Sequence, residues 1–379
     1  MKNHKSSNFD TKVIHGASNH PDLRDVVAPI HPTTIYTHAE SGMDASEDHY
    51  IRADNPNRRQ LEQLCTSLEN GSEAAAFASG MAAIAAVLQA LDPGDHLILP
   101  KDVYHGTRTL VKNIMHRWNL QFDEVDTTDP ERVRQAITPK TRLIWLETPS
   151  NPMLHITDIS AIADIARESG SGIQVAVDNT WPSPALQQPL NLGADISVHS
   201  ATKYLGGHSD ILGGVVINRE SDEMARRIRE VQQQAGGVLS PHESWMLVRS
   251  IKTLGWRMKG HCRNARQVAE FLKDHPKVTK VYYPGLKEHP GFEVARKQMS
   301  DFGGMISFEI KGNADDALRV VSKAEIITVA TSLGGVESIW EHRRSSESED
   351  SQTPEALIRL SVGLEDPDDV IEDISMALG

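Results

Sequence analysis

The chain has 379 residues and a formal net charge of -13, with 39% hydrophobic and 24% charged residues. The acidic surplus repels nucleic-acid phosphates, and no run of about 18 apolar residues could span a bilayer, so we expect neither a nucleic-acid partner nor a membrane protein. The start lacks the apolar stretch of a secretory signal, and Cys65 and Cys262 lie too far apart in sequence to suggest a disulfide framework. These features predict a cytoplasmic protein with a substantial core.

Residues 1–57 form a leader that is rich in Asp, Glu, His, Ser and Pro. Its segment HAESGMDASEDHYIRADNPNRR has neither a helical nor a strand periodicity. Composition alone therefore favours a disordered leader over an arm that packs on another surface.

From about residue 60 to residue 217 the chain repeats one pattern, in which a short apolar run is followed by a turn and then by a helix-like segment. Residues 60–68 and 82–91 are predicted to be two of the helices, because apolar residues recur there at spacings of three and four. The apolar runs are EAAAFA, HLILP, RLIWLE, GIQVAVD, ADISVH and ILGGVVIN. Strands that alternate with helices predict a large α/β domain, with a mostly parallel sheet between helices.

The sequence predicts a long helical stretch over residues 221–273, after which its character changes. Residues 246–379 are assigned to a smaller C-terminal α+β domain, with strands in GGMISFEIKG, EIITVAT and ALIRLSVG and a helix at 314–324. A closing helix begins at Pro367, and its apolar residues share one face.

Polar residues follow several of the predicted strands, where ligands of an open parallel sheet bind. Gly80 and Met81 would begin a helix and present free backbone N–H groups to an anion, although most such turns bind nothing. Tyr104 follows HLILP, where a half-buried loop tyrosine is the simpler interpretation. Glu147 and Asn151 follow RLIWLE, where turn formation is a sufficient explanation.

Asp178 stands at the tip of a buried strand, where a carboxylate needs a partner, and where a cap is an equally good explanation. Ser200, Thr202 and Lys203 follow the next strand. Hydroxyls beside a lysine suit a phosphate, and a desolvated lysine can act as nucleophile or base. Together these are the parts of a pyridoxal phosphate (PLP) site: a lysine for the Schiff base, an acid against the ring nitrogen and donors for the phosphate.

Other catalytic motifs are absent from the sequence. Lys203 does not lie in a G-x-x-x-x-G-K-[ST] loop, and no G-x-S-x-G elbow occurs. His199 and His208 have no H-E-x-x-H or cysteine companions, so no metal site is expected.

Eight motifs in order resemble the trans-sulfuration family of PLP enzymes, which comprises cystathionine γ-synthases, γ-lyases and β-lyases and methionine γ-lyases. They are YIRADNP, SGM, DVYHGT, ETPSNP, VDNTW, SVHSATKYLGGHSD, TSLGGVES and IRLSVGLED, and they span residues 50–366. The resemblance implies the aspartate aminotransferase-like fold type I of PLP-dependent transferases. It divides the chain into an arm (1–57), a PLP-binding domain (58–245) and a C-terminal domain (246–379).

The resemblance also implies roles for the residues at the strand ends. Lys203 would hold the cofactor as a Schiff base and then shuttle protons, and Asp178 would keep the ring nitrogen protonated. Tyr104 would stack on the ring and assist proton transfer. The phosphate would be held by Gly80, Met81, Ser200 and Thr202.

On the substrate side, the resemblance implies that Asn151 contacts the ring hydroxyl or the substrate. Ser332 and above all Arg359 would receive the α-carboxylate of a small sulfur-containing amino acid. Tyr50 and Arg52 would reach the phosphate of a neighbouring subunit. The leader then becomes an arm between subunits, and the family suggests a homotetramer built as a dimer of dimers with shared active sites.

Several residues depart from the family pattern. Asn57 replaces a usual threonine, and His49 stands where many γ-specific members carry an acid. His105 changes the Y-G-G-T motif; it and His49 could line the substrate entrance, but a solvated loop is the simpler interpretation of each. Gly106 takes the place of a cysteine that methionine γ-lyases usually carry, which counts against that activity.

Two segments near the C-terminus bear on the reaction. Ser332-Leu333-Gly334-Gly335 resembles the γ branch, whereas bacterial β-lyases often carry tryptophan in place of this leucine. The charged segment WEHRRSSESEDSQTPE departs from the histidine-proline pattern of many members, and we interpret it as a surface loop rather than as part of the substrate mouth.

The leading hypothesis is a carbon–sulfur lyase that cleaves cystathionine by γ-elimination to cysteine, α-ketobutyrate and ammonia. The first alternative is cystathionine γ-synthase, which would join an O-acylhomoserine to cysteine, followed by cystathionine β-lyase and methionine γ-lyase. A non-enzymatic scaffold is disfavoured, because Lys203, Asp178, Tyr104 and Arg359 are all present.

Overall fold

The computed structural model describes residues 7–17, 25–37, 49–170, 172–347 and 351–379. The first half of the segment HAESGMDASEDHYIRADNPNRR, residues 38–48, therefore lies outside the described residues. The helices are α1 (Phe9–His15), α2 (Pro56–Glu69), α3 (Gly80–Gln89), α4 (His105–Asn113), α5 (Pro130–Ala136), α6 (Ile159–Glu168), α7 (Ser183–Leu186), α8 (Glu223–Ala235), α9 (Pro241–Ile251), α10 (Leu254–Asp274), α11 (Phe292–Gln298), α12 (Ala314–Val321) and α13 (Pro367–Leu378).

The strands form two sheets. They are β1 (Glu73–Phe77), β2 (His96–Pro100), β3 (Gln121–Val125), β4 (Thr141–Glu147), β5 (Gln174–Asp178), β6 (Ile196–Ser200), β7 (Gly214–Asn218), β8 (Val278–Tyr282), β9 (Met305–Ile310), β10 (Thr328–Val329), β11 (Ile339–His342) and β12 (Leu357–Ser361). The first sheet has the order β1-β7-β6-β5-β4-β2-β3 and the second the order β10-β11-β12-β9-β8.

The first sheet is mixed but mostly parallel, as the sequence predicts. The strands from β6 to β3 pair in parallel, and β7 pairs antiparallel with both β6 and β1. Strand β4 shows why the apolar runs are nearly continuous: Leu143 and Trp145 belong to one hydrophobic core, and Ile144 and Leu146 belong to another. Both faces of the strand are therefore buried, as in a sheet that lies between two layers of helices.

The carboxyl ends of the central strands lie side by side. Glu147, the last residue of β4, pairs in register with Asp178, the last residue of β5. Ser200 ends β6, and the turn that carries Lys203 follows at once. The fold therefore gathers the polar residues that follow these strands at one edge of the sheet.

The second sheet lies within the predicted C-terminal domain, although the boundary at residue 246 falls inside α9. The predicted helical stretch over 221–273 is confirmed in extent, and it consists of three helices, α8, α9 and α10. Gly236 explains the first break, because it takes a left-handed conformation at the end of α8 and Pro241 then begins the next helix. Only Thr328 and Val329 of EIITVAT form a strand.

The interpretation of WEHRRSSESEDSQTPE as a surface loop was wrong for its first part. Trp340, Glu341 and His342 lie in β11, which pairs antiparallel with β12 and in parallel with β10. All three side chains are buried. The pairing with β12 is long-range, so the charged composition of the segment gave no sign of it.

The described parts of the leader pack on their own chain. Asn57 donates a hydrogen bond to the carbonyl of Pro29 (2.8 Å) and accepts one from the backbone N–H of His31 (2.8 Å). Trp245 donates to the carbonyl of Ala28 (2.8 Å). Helix α1, which the sequence reading did not predict, packs on α2 and α10. Asn57 thus ties the leader to the start of α2, which gives this departure from the family pattern a structural role.

Two further predictions concern the cysteines and membrane-spanning helices. Cys65 and Cys262 are both free and buried, as the sequence predicts. Within the described part of the chain, no helix combines the length and the apolar character that crossing a bilayer requires.

Candidate active site

A cavity of about 790 Å³ opens at the carboxyl edge of the first sheet, and residues 331–333, 343, 346 and 359 also line it. Ten of the twelve residues that the sequence analysis assigns to a site line it: Gly80, Met81, Tyr104, Asn151, Asp178, Ser200, Thr202, Lys203, Ser332 and Arg359. Tyr50 and Arg52 are the two that do not. The geometry therefore brings the residues of the strand ends together with Ser332 and Arg359.

Lys203 lies at the centre of this arrangement. Its Nζ donates a hydrogen bond to Oγ of Ser332 at 2.6 Å. Burial lowers the pKa of Lys203 from 10.5 to about 8; the positive charge of Arg359 lowers it further, while Glu341 and Asp178 oppose the shift. A lysine in this environment gives up its proton near neutral pH and can then act as a nucleophile or a base.

Ser332 holds an unusual backbone conformation, with φ of 97°. This region is costly for a residue with a Cβ, by about 1–3 kcal/mol, and such strain clusters at functional sites. The conformation presents the Ser332 hydroxyl to Lys203 and the Ser332 carbonyl to Arg359 Nη2, at 3.0 Å. One residue therefore links the lysine that follows β6 of the first sheet to the arginine of β12 in the second sheet.

Two carboxyl groups lie next to each other on the floor of the cavity. Burial raises the pKa of Asp178, and hydrogen bonds from Thr180 oppose the shift. Burial, and then the charge of Asp178, raises the pKa of Glu147 well above its usual range. Glu147 also accepts a hydrogen bond from the backbone N–H of Tyr104 at 2.8 Å. Two adjacent buried carboxylates do not both ionise readily, which is why the charge of Asp178 adds to the effect of burial on the pKa of Glu147.

The start of α3 faces the end of β6. The Ser79 side chain caps the helix by accepting a hydrogen bond from the backbone N–H of Ala82 at 3.1 Å. The backbone N–H groups of Gly80 and Met81 have no acceptor within the helix, because they lie in its first turn. A Cβ at Gly80 would lie 2.8 Å from Cβ of Ser200, so only glycine allows this close approach. The backbone N–H groups and the Ser200 hydroxyl thus form a small polar cradle that suits an anion.

Thr202 stands beside this cradle, with its hydroxyl already in use. Its Oγ1 donates to the carbonyl of Gly213 (3.2 Å) and accepts from Gly213 N (3.1 Å). Thr202 therefore braces the turn that carries Lys203.

Tyr104 and His105 lie at the mouth of the cavity. The Tyr104 side chain is 39% exposed, and His105 is also exposed. A Cβ on Gly106 would lie 2.5 Å from Cε1 of Tyr104 and 2.9 Å from Sδ of Met81, so Gly106 fixes where the tyrosine ring lies. His105 lines the cavity, which corrects its interpretation as a solvated loop residue. His49 does not line it.

Arg359 is buried at 4% exposure and is held on several sides. Its Nη1 donates to Oδ1 of Asn151 at 3.0 Å, and its Nη2 lies 2.6 Å from Oε1 of Glu341. Burial, and then the nearby charge of Arg343, lowers the pKa of Arg359 to about 10. The guanidinium is thus fixed in orientation before any ligand arrives, as bidentate recognition of a carboxylate requires.

Tyr50 and Arg52 lie together on another part of the surface. The Arg52 guanidinium sits 5.6 Å from the centre of the Tyr50 ring and donates to the carbonyl of Gln233. Tyr50 is 40% exposed. Neither contributes to the cavity of its own chain.

Sequence reasoning missed several cavity residues. Glu147 was assigned to turn formation, yet its side chain is 6% exposed and faces Asp178 in register. Thr180 follows Asp178 by two residues and accepts a hydrogen bond from Ser200 N at 2.9 Å. Both residues lie at strand ends, so the rule that located Asp178 could have found them. Arg343 and Ser346 also line the cavity, so the alternative that their segment is part of the substrate mouth, which the sequence analysis disfavoured, holds for these two residues.

The comparisons with known proteins agree with this geometry. Residues 10–379 match the family described as Cys/Met metabolism PLP-dependent enzymes. The chain belongs to this family. It is therefore an enzyme of the PLP-dependent trans-sulfuration type, and its two-sheet architecture is that of fold type I.

Curated relatives carry three different reaction names at almost the same identity. A cystathionine β-lyase of Coxiella burnetii is 43% identical, and 99% of each chain is covered. A cystathionine γ-lyase of Bacillus subtilis is 44% identical, with 97% of this chain and 98% of the relative covered. A cystathionine γ-synthase of Mycobacterium tuberculosis is 43% identical, with 97% and 96% covered.

A solved structure also has a closely similar fold. The structure of metB from Corynebacterium glutamicum superimposes with a TM-score of 0.95 at 40% identity and covers 99% of each chain. The sequence match identifies the family, and the structural match identifies the fold. Both agree with the resemblance drawn from the eight motifs.

Proposed function

We propose that this member of the family cleaves cystathionine on its γ side, releasing cysteine, α-ketobutyrate and ammonia. The observation that carries the proposal is the position of Lys203. Its amine lies in one cavity between the strand-end acids and the Ser332–Arg359 pair, and its pKa is lowered to about 8. A single side chain can therefore serve both the cofactor and the carbons of the substrate.

The residues present fit PLP on three counts. The cradle at Gly80, Met81 and Ser200 offers donors to a phosphate, and its close approach leaves no room for a Cβ at residue 80. Asp178 is an acid at the cavity floor, suited to a protonated ring nitrogen. Lys203 would hold the cofactor as a Schiff base. When bound, PLP supplies an electron sink for the charge that remains when a proton leaves the substrate.

The substrate side follows from Arg359. Its guanidinium would take the α-carboxylate, aided by the Ser332 hydroxyl, while Asn151 holds the arginine through its Oδ1. This contact would place the α-carbon within reach of the Lys203 amine. Tyr104, against which Gly106 packs closely, would stack on the cofactor ring and assist proton transfer.

The acid–base work would fall to Lys203. After the substrate amine has displaced it, its free amine can take the proton from Cα and deliver protons to neighbouring positions. Loss of a second proton, from Cβ, permits the sulfur group to leave from Cγ, whereas departure from Cβ needs only the first loss. Both reactions use the same lysine, so the residues around the sulfur group must decide between them.

Two of those residues favour cleavage at Cγ of cystathionine. Leu333 lines the cavity directly after Ser332, in the position where bacterial β-lyases often carry tryptophan. Gly106 is packed so closely against Tyr104 that a cysteine there would displace the ring, which argues against the methionine γ-lyase arrangement.

The test is a product assay on the purified holoenzyme with L-cystathionine. Cysteine with α-ketobutyrate is the expected result, and homocysteine with pyruvate would show a β-lyase and refute the proposal. The Leu333→Trp variant sharpens the assay, since it should shift product toward pyruvate if this side chain sets the position of cleavage. Leu212→Trp, a change of the same size elsewhere on the cavity lining, is the matched control.

Cystathionine γ-synthase remains a second candidate, because a relative of that name is as similar as those named lyases. It would need an O-acylhomoserine and cysteine as substrates. Formation of cystathionine from this pair at a rate above its cleavage would favour the synthase.

We also propose that Tyr50 and Arg52 complete the site of a neighbouring subunit within a homotetramer. Their exposure, and their absence from the cavity of their own chain, support this arrangement. Mixing inactive Lys203→Ala subunits with inactive Arg52→Ala subunits tests it, since shared sites predict that mixed assemblies regain activity. Failure to regain activity, with mixed assembly verified, would contradict it.

A further inference from the structure

Arg343 is a second arginine in the substrate half of the cavity. It begins a short 3-10 helix, Arg343–Ser346, directly after β11, and it lines the cavity that also contains Arg359 and Lys203. The residue is 7% exposed. A buried arginine is rare unless its charge is matched by partners, so its position calls for an explanation.

Two carboxylates hold the Arg343 side chain in place. Its Nη1 donates to Oε1 of Glu341 at 2.9 Å, and its Nε donates to Oε1 of Glu347 at 2.8 Å. Glu347 is itself fixed by the hydroxyls of Ser351 and Thr353, the second at 2.6 Å. The guanidinium therefore has a defined orientation.

The third nitrogen of Arg343 is the exception. Within the described part of the chain, Nη2 makes no hydrogen bond, although both other nitrogens do. A guanidinium nitrogen has two N–H donors, and Nη2 is not among the fully buried side-chain atoms that lack a partner, so these donors remain accessible on a residue that lines the cavity. An anionic oxygen from a ligand in the cavity would satisfy them.

The two arginines of the cavity are close neighbours. Oε1 of Glu341 contacts both Nη2 of Arg359 (2.6 Å) and Nη1 of Arg343 (2.9 Å), so a single oxygen joins the two groups. The four charged side chains, Arg359, Arg343, Glu341 and Glu347, are formally neutral as a set. Binding of a further anion therefore rests on directed donors rather than on a positive field.

We propose that Arg343 is a specificity-determining residue that binds a second carboxylate, on the leaving-group side of the substrate. The inference rests on the proposed function, in which Arg359 takes the α-carboxylate. The substrate class is then a sulfur amino acid or homoserine ester with an acidic group beyond the bond that breaks.

Matched substrates test the proposal directly on the holoenzyme. L-Cystathionine and S-(2-aminoethyl)-L-homocysteine differ only in the second carboxylate. In Arg343→Met, the ratio of kcat/KM for the first to that for the second should fall about 10- to 100-fold, chiefly through KM for cystathionine. Arg344→Met removes the same charge one residue away, outside the cavity lining, and should leave the ratio unchanged.

A merely structural role gives a different pattern. If Arg343 only held Glu341 against Arg359, both substrates would lose kcat/KM equally and the ratio would stay constant, which would overturn the proposal. Arg343→Lys covers the case in which the methionine variant does not fold. It keeps the charge but loses the second donor nitrogen, and an unchanged ratio in that variant would likewise overturn the proposal.

Failure of the proposed function can be recognised separately. If the unmodified enzyme does not cleave cystathionine, O-succinyl-L-homoserine and O-acetyl-L-homoserine, with cysteine as the second substrate, form an equivalent pair, because only the first carries a distal carboxylate. A fall in the ratio for this pair in Arg343→Met would support the role of Arg343 while refuting the lyase. An unchanged ratio, or no turnover of either pair by the unmodified enzyme, would refute the proposal.

Discussion

The two halves of the cavity are built in different ways. On the side of the first sheet, polar side chains follow parallel strands and are placed by backbone geometry: Glu147 and Asp178 pair in register, and Lys203 comes just after Ser200. On the side of the second sheet, Arg359 is placed by an ion-pair network with Glu341 and Arg343.

This difference has a consequence for how each half responds to change. A strand end keeps its position when one side chain is replaced, because the sheet holds it. A network of buried charges loses orientation and leaves an unpaired charge when one member is removed, which is costly. Variants in the first half should therefore mainly change the rate of the chemical step. Variants in the second half should mainly change substrate binding and the stability of the fold.

Lys203→Ala should give the largest effect, in the first half. Loss of the amine removes both the attachment of the cofactor and the base, so we expect the visible cofactor absorbance to disappear and kcat to fall at least about 1000-fold. Lys311→Ala, at an exposed lysine just after β9, is the control and should change neither. A coloured and active Lys203→Ala enzyme would remove the basis of the assignment.

Arg359→Lys tests the second half. The charge remains, but the planar fork is lost, and Oδ1 of Asn151 and the carbonyl of Ser332 lose their donors. We expect KM to rise about 10- to 100-fold while the cofactor spectrum stays unchanged. The exposed Arg319→Lys provides the control. A loss in kcat alone, at constant KM, would show that Arg359 acts in the chemical step and not in substrate binding.

The pH dependence of cofactor addition links the two halves. Only the neutral amine of Lys203 can attack, and its pKa is lowered to about 8, so the rate at which apoenzyme takes up PLP should rise with pH through a midpoint near pH 8 and then level off. In Arg359→Gln, loss of the neighbouring positive charge should move this midpoint upward. A midpoint near 10.5 in the unmodified chain would contradict the proposed environment of Lys203.

Gly106→Ala should have the smallest effect. The new methyl group would lie 2.5 Å from the Tyr104 ring, so either the ring or the backbone must shift. We expect a fall in kcat of about three- to tenfold and a loss of about 1–3 kcal/mol in the free energy of unfolding. At Gly237 an added Cβ meets nothing nearer than 3.7 Å, which makes Gly237→Ala the matched control for denaturant unfolding and kinetics.

The same contrast explains how much could be predicted from the sequence. Asp178 and Lys203 were found because apolar runs mark strands, and the ends of parallel strands converge. Ser332 and Arg359 were found only through the resemblance to the family, since nothing local distinguishes them from other loop and strand residues. Their convergence with Lys203 depends on how the second sheet packs against the first.

Glu341 and Arg343 show where sequence reasoning failed. Their segment is rich in charge, which is typical of a solvated surface, and it lacks the alternation of a half-buried strand. Burial of β11 becomes favourable only because each charge meets a partner supplied by β12, by the 3-10 helix or by the segment after it. Such pairing is a property of the folded chain and leaves no periodic pattern to read.

The conformation of Ser332 sets folding stability against function at a single position. Glycine adopts a φ of 97° without strain, so Ser332→Gly would stabilise the fold by roughly 1 kcal/mol or more, yet it would remove the hydroxyl that accepts from Lys203. Selection for thermostability alone would favour glycine at this position, and the serine marks a site where the chain tolerates a less stable fold to retain one oxygen atom.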